Sequence, residues 1–340
     1  MKKLKILALM HDYMVPPEDL SGVDLSTVEW KTEFDVTSTL KGMGHDVRVI
    51  GIKDDLRTIR QAVDEFNPHI AFNLMEAFHE VGAFDMNVVS YLELLRLPYT
   101  GCNPRGMLLS RDKSLSKKLM AYHRIPVPEF TVFRRGLAIK RLRRLAFPVI
   151  VKSLTQEASM GISQASVVDD DTKLRERVQF IHDSIGTDAI AEKFIEGREL
   201  YVGIVGNERL QVFPAWEMHF GKMPEGIHRI ATDRVKWSVK YQKKHGITTQ
   251  EAKNLPNGMA ETLKRLAKRV YRALEMSGYA RMDIRLNADG RFFVLEANAN
   301  PQLAFGEDFA ESAEQINLQY EELLQRILNV GLRWKPEKIG

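Results

Sequence analysis

The stretch that decides the fold is ARMDIRL at residues 280–286, followed by the turn NADG at 287–290 and by RFFVLEANAN at 291–300. Apolar and polar residues alternate on both sides of the turn, a pattern typical of two antiparallel strands joined as a hairpin. Successive side chains of a strand point to opposite faces. We therefore expect Arg281 and Asp283 to share one face of the first strand. On the second strand, Glu296 and Asn298 share one face and Leu295 lies on the other.

The hairpin is expected to gather these polar groups on a single face of the sheet. If the turn closes tightly at residues 288 and 289, Arg281 pairs with Glu296, and Asp283 becomes a diagonal neighbour of Glu296 at about 7–8 Å. Two carboxylates and an amide oxygen at that separation can bind one or two hard cations such as Mg²⁺. The alternative is a solvent-exposed ion pair between Arg281 and Glu296, which needs no cation. Polar residues directly after an apolar strand favour a functional loop.

Two weaker patterns point to a phosphate-bearing ligand. The apolar strand at 147–152 ends in Lys152, and the loop at 156–163 is rich in small and hydroxyl residues. A lysine beside exposed backbone N–H groups suits phosphate oxygens, although Lys152 alone is equally typical of a solvated strand end. At 189–199 an apolar strand leads into a short linker, and the carboxylates Glu192 and Glu199 lie seven residues apart. Backbone edges and a carboxylate suit adenine and ribose, and a surface hairpin is the alternative.

Composition narrows the class of protein. Of 340 residues, 44% are hydrophobic and 28% charged, which is ordinary globular usage and excludes disorder as the main state. A net charge of +4 is too small to indicate a nucleic-acid partner. The single cysteine, Cys102, excludes an internal disulfide and a cysteine-based zinc site. Because no run of about 18 apolar residues occurs, we expect a cytoplasmic protein without a membrane partner.

The first hundred residues alternate short apolar runs with amphipathic stretches. Strands are predicted at Leu4–Met10, Val47–Ile52 and Ile70–Leu74, and helices at Phe34–Met43, Asp54–Phe66 and Asp85–Leu95. Alternation of this kind predicts a parallel sheet with helices on its faces. No G-x-G-x-x-G follows the first strand, so a dinucleotide-binding unit is disfavoured.

The remainder of the chain predicts hairpins mixed with helices after a turn-rich boundary at 98–112. The predicted strands are Val149–Lys152, Ala189–Phe194, Leu200–Val205, Val212–Trp216, Ala280–Leu286 and Arg291–Ala297. The predicted helices are Lys113–His123, Leu174–Ile185, Met259–Met276 and Ala313–Leu328. A basic run at 134–144 is expected on or beside a short helix. We interpret it as a solvated face, because no aromatic residues interleave with its charges.

Taken in order, these segments resemble the ATP-grasp superfamily and, within it, the D-alanine–D-alanine ligases and related carboxylate–amine ligases. The resemblance runs from residue 98 through the last helix and is most specific in the Arg-x-Asp … Glu-x-Asn pattern of residues 281–298. It implies an α/β and α+β fold with an N-terminal Rossmann-like (pre-ATP-grasp) lobe at 1–105. A small ATP-grasp lobe at 106–190 and a large one at 191–335 would hold ATP between them.

The resemblance also implies an activity and roles for individual residues. The reaction is ATP-dependent formation of an amide or peptide bond through an acyl phosphate, with one or two Mg²⁺ ions, or Mn²⁺ in their place. Arg281 is the implied catalytic residue, and Asp283, Glu296 and Asn298 are the implied metal ligands. The implied ATP contacts are Lys113 and Lys152 on phosphates, Ser159 and Gly161 in a phosphate lid, Glu192, Lys193 and Ile195 on adenine, Glu199 on ribose, and Lys236 and Trp237 on a closing loop.

Two departures from the ligase pattern concern the amino-acid substrates. Where the ligases have His-Gly … Gly-Glu-Asp-Gly in the first lobe, Glu76 stands at the histidine position. Their Asn-x-x-Pro-Gly motif ends here in Gln302. We therefore expect ATP chemistry with altered amino-acid pockets, and the candidate substrate contacts are Tyr13, Glu76, His79 and Gln302.

Three functions remain open at this point. The first is a ligase of amino acids or small peptides, compatible with the homodimers of related ligases. The second is an enzyme that adds an amino acid to a protein or carrier, which the basic run at 134–144 would dock. The third is a non-catalytic ATP-binding sensor. A metal-plus-arginine cluster argues against the sensor, because binding alone does not need it.

Overall fold

The computed structural model describes residues 2–25, 27–156, 159–224 and 226–336. Its strands are β1 (Lys5–His11), β2 (Asp46–Ile52), β3 (Ile70–Asn73), β4 (Phe130–Phe133), β5 (Val149–Ser153), β6 (Val167–Val168), β7 (Ala189–Lys193), β8 (Arg198–Val205), β9 (Gln211–Val212), β10 (Trp216–Phe220), β11 (Ile247–Glu251), β12 (Tyr279–Leu286) and β13 (Phe292–Ala299). Its α-helices are α1 (Lys31–Gly42), α2 (Arg57–Phe66), α3 (Asp85–Leu94), α4 (Pro104–Arg111), α5 (Lys113–Tyr122), α6 (Asp171–Phe180), α7 (Asp233–Trp237), α8 (Val239–His245), α9 (Met259–Ala273), α10 (Asp308–Glu314) and α11 (Tyr320–Gly331).

The N-terminal sheet is parallel, as predicted, with strand order β2-β1-β3. Both faces of β1 are buried: Leu7 and Leu9 belong to one apolar cluster, and Ile6 and Ala8 belong to another that includes Leu324 of α11. Burial on both sides explains why β1 is a continuous apolar run instead of an alternating one. The C-terminal helix thus covers one face of the first sheet.

The other two sheets are antiparallel and lie later in the chain. The smaller has the order β4-β7-β5-β6, and the larger has the order β11-β10-β8-β12-β13, with β9 paired to β8. The predicted lobe boundary at residue 190 falls inside β7, which pairs with β4 and β5. We propose instead that the boundary lies in the connection at 194–197, and the boundaries at 105 and 335 stay predictions.

Most predicted elements are present with bounds that differ by a few residues, and two of them are interrupted. The strand predicted at Val212–Trp216 is interrupted: β9 ends at Val212 and β10 begins at Trp216. Pro214 lies between them and has no N–H for a strand ladder. The helix predicted at Ala313–Leu328 is two helices, α10 and α11. Between them Asn317 has a φ of 58°, a left-handed conformation that ends a helix.

The basic run at 134–144 does not lie on a helix. These residues form turns between β4 and β5. Arg134 pairs with Asp188 at 2.6 Å, and Arg141 pairs with Asp171 at 2.8 Å. The prediction of a helix was therefore wrong, and part of the positive charge is already neutralised within the chain.

A buried carboxyl on α1 makes the stability of the fold depend on pH. Burial, and secondarily the charge of Glu76, raises the pKa of Glu33 from 4.5 to about 7. An acid with a raised pKa binds its proton more readily in the folded chain. Stability therefore falls as pH rises from the unfolded pKa through the folded one, by up to about 3 kcal/mol.

We expect Glu33→Gln to be more stable than the wild type at about pH 8 and nearly equal to it at about pH 4. Chemical denaturation at both pH values measures the difference in the free energy of unfolding. Glu29→Gln, which changes an exposed carboxylate of the same region, is the control and should shift neither value. An equal difference at both pH values would show that the charge of Glu33 is not the cause.

Candidate active site

A cleft of about 780 Å³, open to solvent at its mouth, lies between the two antiparallel sheets. The predicted site residues that line the cleft are Lys113, Lys152, Ser159, Glu192, Lys193, Ile195, Glu199, Lys236, Asp283 and Glu296. Residues from the small sheet and from the large one thus converge on a single space.

The hairpin that decides the fold has a different register from the predicted one. Asp283 lies directly opposite Glu296, and Arg281 lies opposite Asn298. The predicted pair Arg281–Glu296 was wrong for two reasons. The loop spans 287–291, where the backbone N–H of Asn287 donates to the carbonyl of Arg291, and this shifts the pairing by one residue. A bulge between Asp283 and Ile284 shifts it by one more. Directly opposed residues share a face, so the prediction that all four polar side chains lie together is confirmed.

A β-bulge in this hairpin moves a residue to the unexpected face. Asp283 pairs with Glu296, but Ile284 pairs with Val294, so Leu295 has no partner in β12. Leu295 lines the cleft beside Glu296, although period-two alternation placed it on the opposite face. A bulge breaks the alternation of side chains along a strand. The sequence pattern gave no indication of this bulge.

The cleft has apolar walls beside the backbone of residues 192–195. Ile150, Phe194 and Ile230 form a buried apolar cluster, and together with Leu295 they line the cleft. On β5 the alternation works as expected: Val149 and Val151 pack in the core of the small sheet, whereas Ile150 and Lys152 face the cleft. A flat base can lie between such walls.

The lysines of the cleft lie close to two carboxylates, the buried Glu192 and the partly buried Glu296. Asp112 caps α5 and so fixes Lys113 as its first residue. Lys113 Nζ lies 3.8 Å from Glu296 Oε2, and Lys152 Nζ lies 3.3 Å from Glu192 Oε2. Burial opposes ionisation of Glu192, yet nearby lysines lower its pKa. Because its carboxylate is paired with lysines, Glu192 can contact an adenine base only through its backbone atoms.

The opposed carboxylates of the hairpin differ in their tendency to ionise. Burial favours the neutral form of Glu296, but the charges of Lys113 and Lys152 outweigh it and hold the pKa of Glu296 at about 2. Burial raises the pKa of Asp283 despite its contact with Arg281. Two carboxylates that face each other do not ionise independently. At neutral pH Glu296 therefore presents a full negative charge to the cleft.

Arg281 is oriented by two neighbours. Its Nε and Nη2 donate to the two oxygens of Asp283 at 2.8 and 3.0 Å. Its guanidinium lies 4.9 Å from the ring centroid of Tyr201. A bidentate pair plus a ring contact fixes the direction of the planar guanidinium.

The side chains around Asp283 and Glu296 fit a magnesium ion. The donor set consists of two carboxylates and the amide of Asn298, whose Nδ2 is buried without a hydrogen-bond partner within the described residues. Oxygen ligands of this type are those that Mg²⁺ prefers, and phosphates complete its shell. Within the described ranges no three His, Cys, Asp or Glu residues form a metal cluster. Binding of a magnesium ion at this site thus depends on the Asn298 amide and on the phosphates in addition to the two carboxylates.

Glu199 and its partner Arg285 lie at the end of the cleft predicted for ribose. The carboxylate of Glu199 accepts hydrogen bonds from Arg285 Nη2 and, at 2.9 Å, from Tyr201 Oη. Arg285 lines the cleft and was not among the predicted site residues. It continues the alternation of Arg281 and Asp283, so the period of the strand could have identified it.

The predicted lid and closing loop are only partly at the cleft. Ser159 lines it, while the carbonyl of Gly161 accepts a hydrogen bond from Arg177 and Gly161 lies against Ile185. Residues 157 and 158 of this loop lie outside the described residues. Lys236 lines the cleft from α7, and the side chain of Trp237 lies outside what the structure describes.

The candidate substrate contacts lie on loops of the first lobe and beyond β13. Tyr13 is 58% exposed, and its ring packs, tilted by 46° with the centroids 4.3 Å apart, against the buried His11 at the carboxyl end of β1. Desolvation and the charge of Glu76 raise the pKa of Tyr13. His79 Nδ1 lies 3.9 Å from Asp54 Oδ2 at the end of β2. Gln302 is exposed. Their roles stay predictions.

Two antiparallel sheets with a ligand cleft between them define the ATP-grasp class of enzymes, and solved structures share this fold. The D-alanine–D-alanine ligase of Bacillus anthracis complexed with ATP gives a TM-score of 0.75 at 22% identity and covers 98% of both chains. The VanG D-Ala:D-Ser ligase of Enterococcus faecalis gives 0.69 at 16% identity, with 97% of this chain and 100% of that one covered. The predicted fold class is confirmed.

Sequence comparison gives the family. The family model for the D-ala D-ala ligase C-terminus matches residues 119–329 of this chain. A D-alanine–D-alanine ligase of Desulforudis audaxviator is 30% identical over 303 residues, 87% of this chain and 91% of the relative. An uncharacterized protein of Sinorhizobium fredii is 31% identical over 268 residues, 78% of this chain and 75% of the relative. The chain belongs to the D-alanine–D-alanine ligase family.

Membership confirms the predicted activity and cofactors. The chain is an ATP-dependent carboxylate–amine ligase of the carbon–nitrogen bond-forming type, and it uses ATP and Mg²⁺. Small molecules are its substrates. Across the described residues, no helix combines the length and apolar character needed to cross a membrane.

Proposed function

We propose that this chain joins two small amino acids, or an amino acid and a short peptide, with Arg281, Lys113 and Lys152 as the residues that act on the reacting groups. The observation that carries the proposal is the direct opposition of Asp283 and Glu296 beside Arg281. It supports a site in which a triphosphate, a cation and a carboxylate substrate meet.

The chemistry explains why such a cluster is needed. A carboxylate resists attack because its negative charge is delocalised and oxide is a poor leaving group. In the first step the substrate carboxylate attacks the γ-phosphorus of ATP, the bond to the β–γ bridging oxygen breaks, and ADP leaves. The amine then attacks the acyl carbon, and inorganic phosphate leaves as the amine loses a proton. Lys113 and Lys152 bind phosphate oxygens, so catalysis is positioning plus charge stabilisation.

Arg281 acts at the second stage of this reaction. Negative charge develops on the acyl oxygen as the tetrahedral adduct forms, and a pre-oriented guanidinium stabilises it. Asp283, Glu296 and Asn298 would hold Mg²⁺, which would supply positive charge to the phosphates.

The loops of the first lobe determine which amino-acid side chains the enzyme accepts. Tyr13 and Glu76 are the contacts we favour, together with Gln302 in the loop after β13. The relatives include D-alanine–D-alanine ligases and a D-Ala:D-Ser ligase, so the family accommodates more than one amino acid. Because Glu76 replaces the expected histidine, we propose that at least one substrate of this chain is not D-alanine.

The alternative, an acceptor that is a protein or carrier, has less support. It relied on the basic run at 134–144. Arg134 and Arg141 are engaged in ion pairs with Asp188 and Asp171, which leaves a smaller net charge for an acidic partner. We further propose that the enzyme is a cytoplasmic homodimer, by analogy with related ligases.

Release of phosphate with a panel of D- and L-amino acids tests the proposal. We expect release above the ATP-only rate with particular pairs, and a mass-spectrometric product equal to the two amino acids minus water. The D-alanine pair alone should be a poorer substrate than the best pair. Release only with a protein acceptor would contradict the small-molecule proposal, and a D-alanine pair as the best substrate would contradict the altered selectivity.

A further inference from the structure

Lys117 is a fully buried cation that the proposed chemistry does not use. It lies on α5 one turn after Lys113, and its side chain has no exposed surface. A buried ammonium is costly unless it is paired and hydrogen-bonded. Such a residue therefore needs a specific set of partners.

The partners of Lys117 belong to the two sides of the cleft. Its Nζ lies 3.4 Å from Glu192 Oε1, whose other oxygen is near Lys152. The same Nζ donates a hydrogen bond to the backbone carbonyl of Leu295. One ammonium group thus contacts β7 of the small sheet and β13 of the large sheet.

The contact with Leu295 is made at the bulge. Leu295 is the residue without a partner in β12. The extra residue of a bulge loses its place in the strand ladder, and a buried backbone carbonyl needs another donor. Lys117 supplies that donor. Since the bulge determines that Leu295 and Glu296 both line the cleft, the geometry of the cation ligand depends on this hydrogen bond.

We propose that Lys117 is a positioning residue that links the nucleotide side of the cleft to its metal side. It holds the bulge so that Glu296 faces the cation, and it holds Glu192 so that Lys152 stays directed at the phosphates. The inference goes beyond the proposed function because it concerns ATP and Mg²⁺ alone and needs no amino-acid substrate.

Calorimetric titration of ATP at a series of Mg²⁺ concentrations tests this role. In Lys117→Met the donor and the charge are lost with little change in volume. We expect ATP affinity to fall about 10–100-fold and the Mg²⁺ concentration for half-maximal binding to rise at least about tenfold, the usual range for residues that orient metal ligands. Lys118→Met, at the exposed neighbouring position, should match the wild type within about twofold.

A second variant separates positioning from a merely structural role. Lys117→Arg keeps the charge and the donor, and it should recover part of the Mg²⁺ dependence. If the role of Lys117 were purely structural, Lys117→Met would have a lower melting temperature, and its folded fraction would keep the Mg²⁺ dependence of the wild type. That result would overturn the proposal. Failure of both variants to fold would likewise assign Lys117 to stability alone. Because binding is measured without an acceptor, an error in the proposed substrates leaves this test intact.

Discussion

Arg281→Ala is expected to lower kcat by about 10²–10³-fold while ATP affinity stays within about threefold of the wild type. The guanidinium is fixed by Asp283 and by the ring of Tyr201, so it costs little reorganisation when charge develops on the acyl oxygen. Its contribution belongs to the transition state and not to nucleotide binding. The loss should therefore appear in kcat and in kcat/KM for the acceptor amine to a similar degree.

Steady-state phosphate release with the best amino-acid pair measures this effect. Arg291→Ala removes an exposed arginine beside the turn of the same hairpin and serves as the matched control, with turnover unchanged. An Arg281→Ala enzyme with full turnover, or one whose only defect is in ATP affinity, would remove Arg281 from the catalytic assignment.

Glu296→Gln is expected to reduce kcat/KM at least about 100-fold and to raise the Mg²⁺ concentration needed for half-maximal activity. The lysines around Glu296 keep its pKa at about 2, so the wild-type side chain is a carboxylate at every working pH. Glutamine keeps the shape but loses the charge and one ligand oxygen that a hard cation prefers. It also leaves Lys113 without the carboxylate that lies 3.8 Å away.

Activity titrated with Mg²⁺, and in parallel with Mn²⁺, checks this prediction. Mn²⁺ binds nitrogen and oxygen ligands at least as readily as Mg²⁺ and should recover part of the lost activity. Glu261→Gln, an exposed position on α9, is the control. An unchanged metal requirement in Glu296→Gln would show that Glu296 is not a ligand.

Sequence reasoning was most successful where a regular period was unbroken. The parallel first sheet, the cleft-facing Lys152 and the shared face of Arg281, Asp283, Glu296 and Asn298 all follow from strand alternation and turn position. The shared face of these four side chains survived an error in register, because the longer loop and the bulge each shift the pairing by one residue. A total shift of two leaves Arg281, Asp283, Glu296 and Asn298 on their predicted face.

The errors have local physical causes. A bulge turned Leu295 into the cleft, and the apolar pattern of β13 looks the same with or without it. Lys117 was missed because a lysine on an amphipathic helix is normally solvated, and only the tertiary structure brings it to Glu192 and the bulge carbonyl. The roles of Tyr13, Glu76 and Gln302 as substrate contacts stay predictions, since these residues lie on loops far apart in the chain.

The central claim is that the hairpin residues bind the cation that accompanies ATP. A crystal structure with a non-hydrolysable ATP analogue and Mn²⁺, with anomalous scattering recorded at the manganese edge, tests it most directly. We expect one or two anomalous peaks in contact with the phosphates and with Glu296, Asp283 and Asn298. Arg281 should lie on the same face beside them. Manganese held by other residues, or a triphosphate bound away from this hairpin, would contradict it.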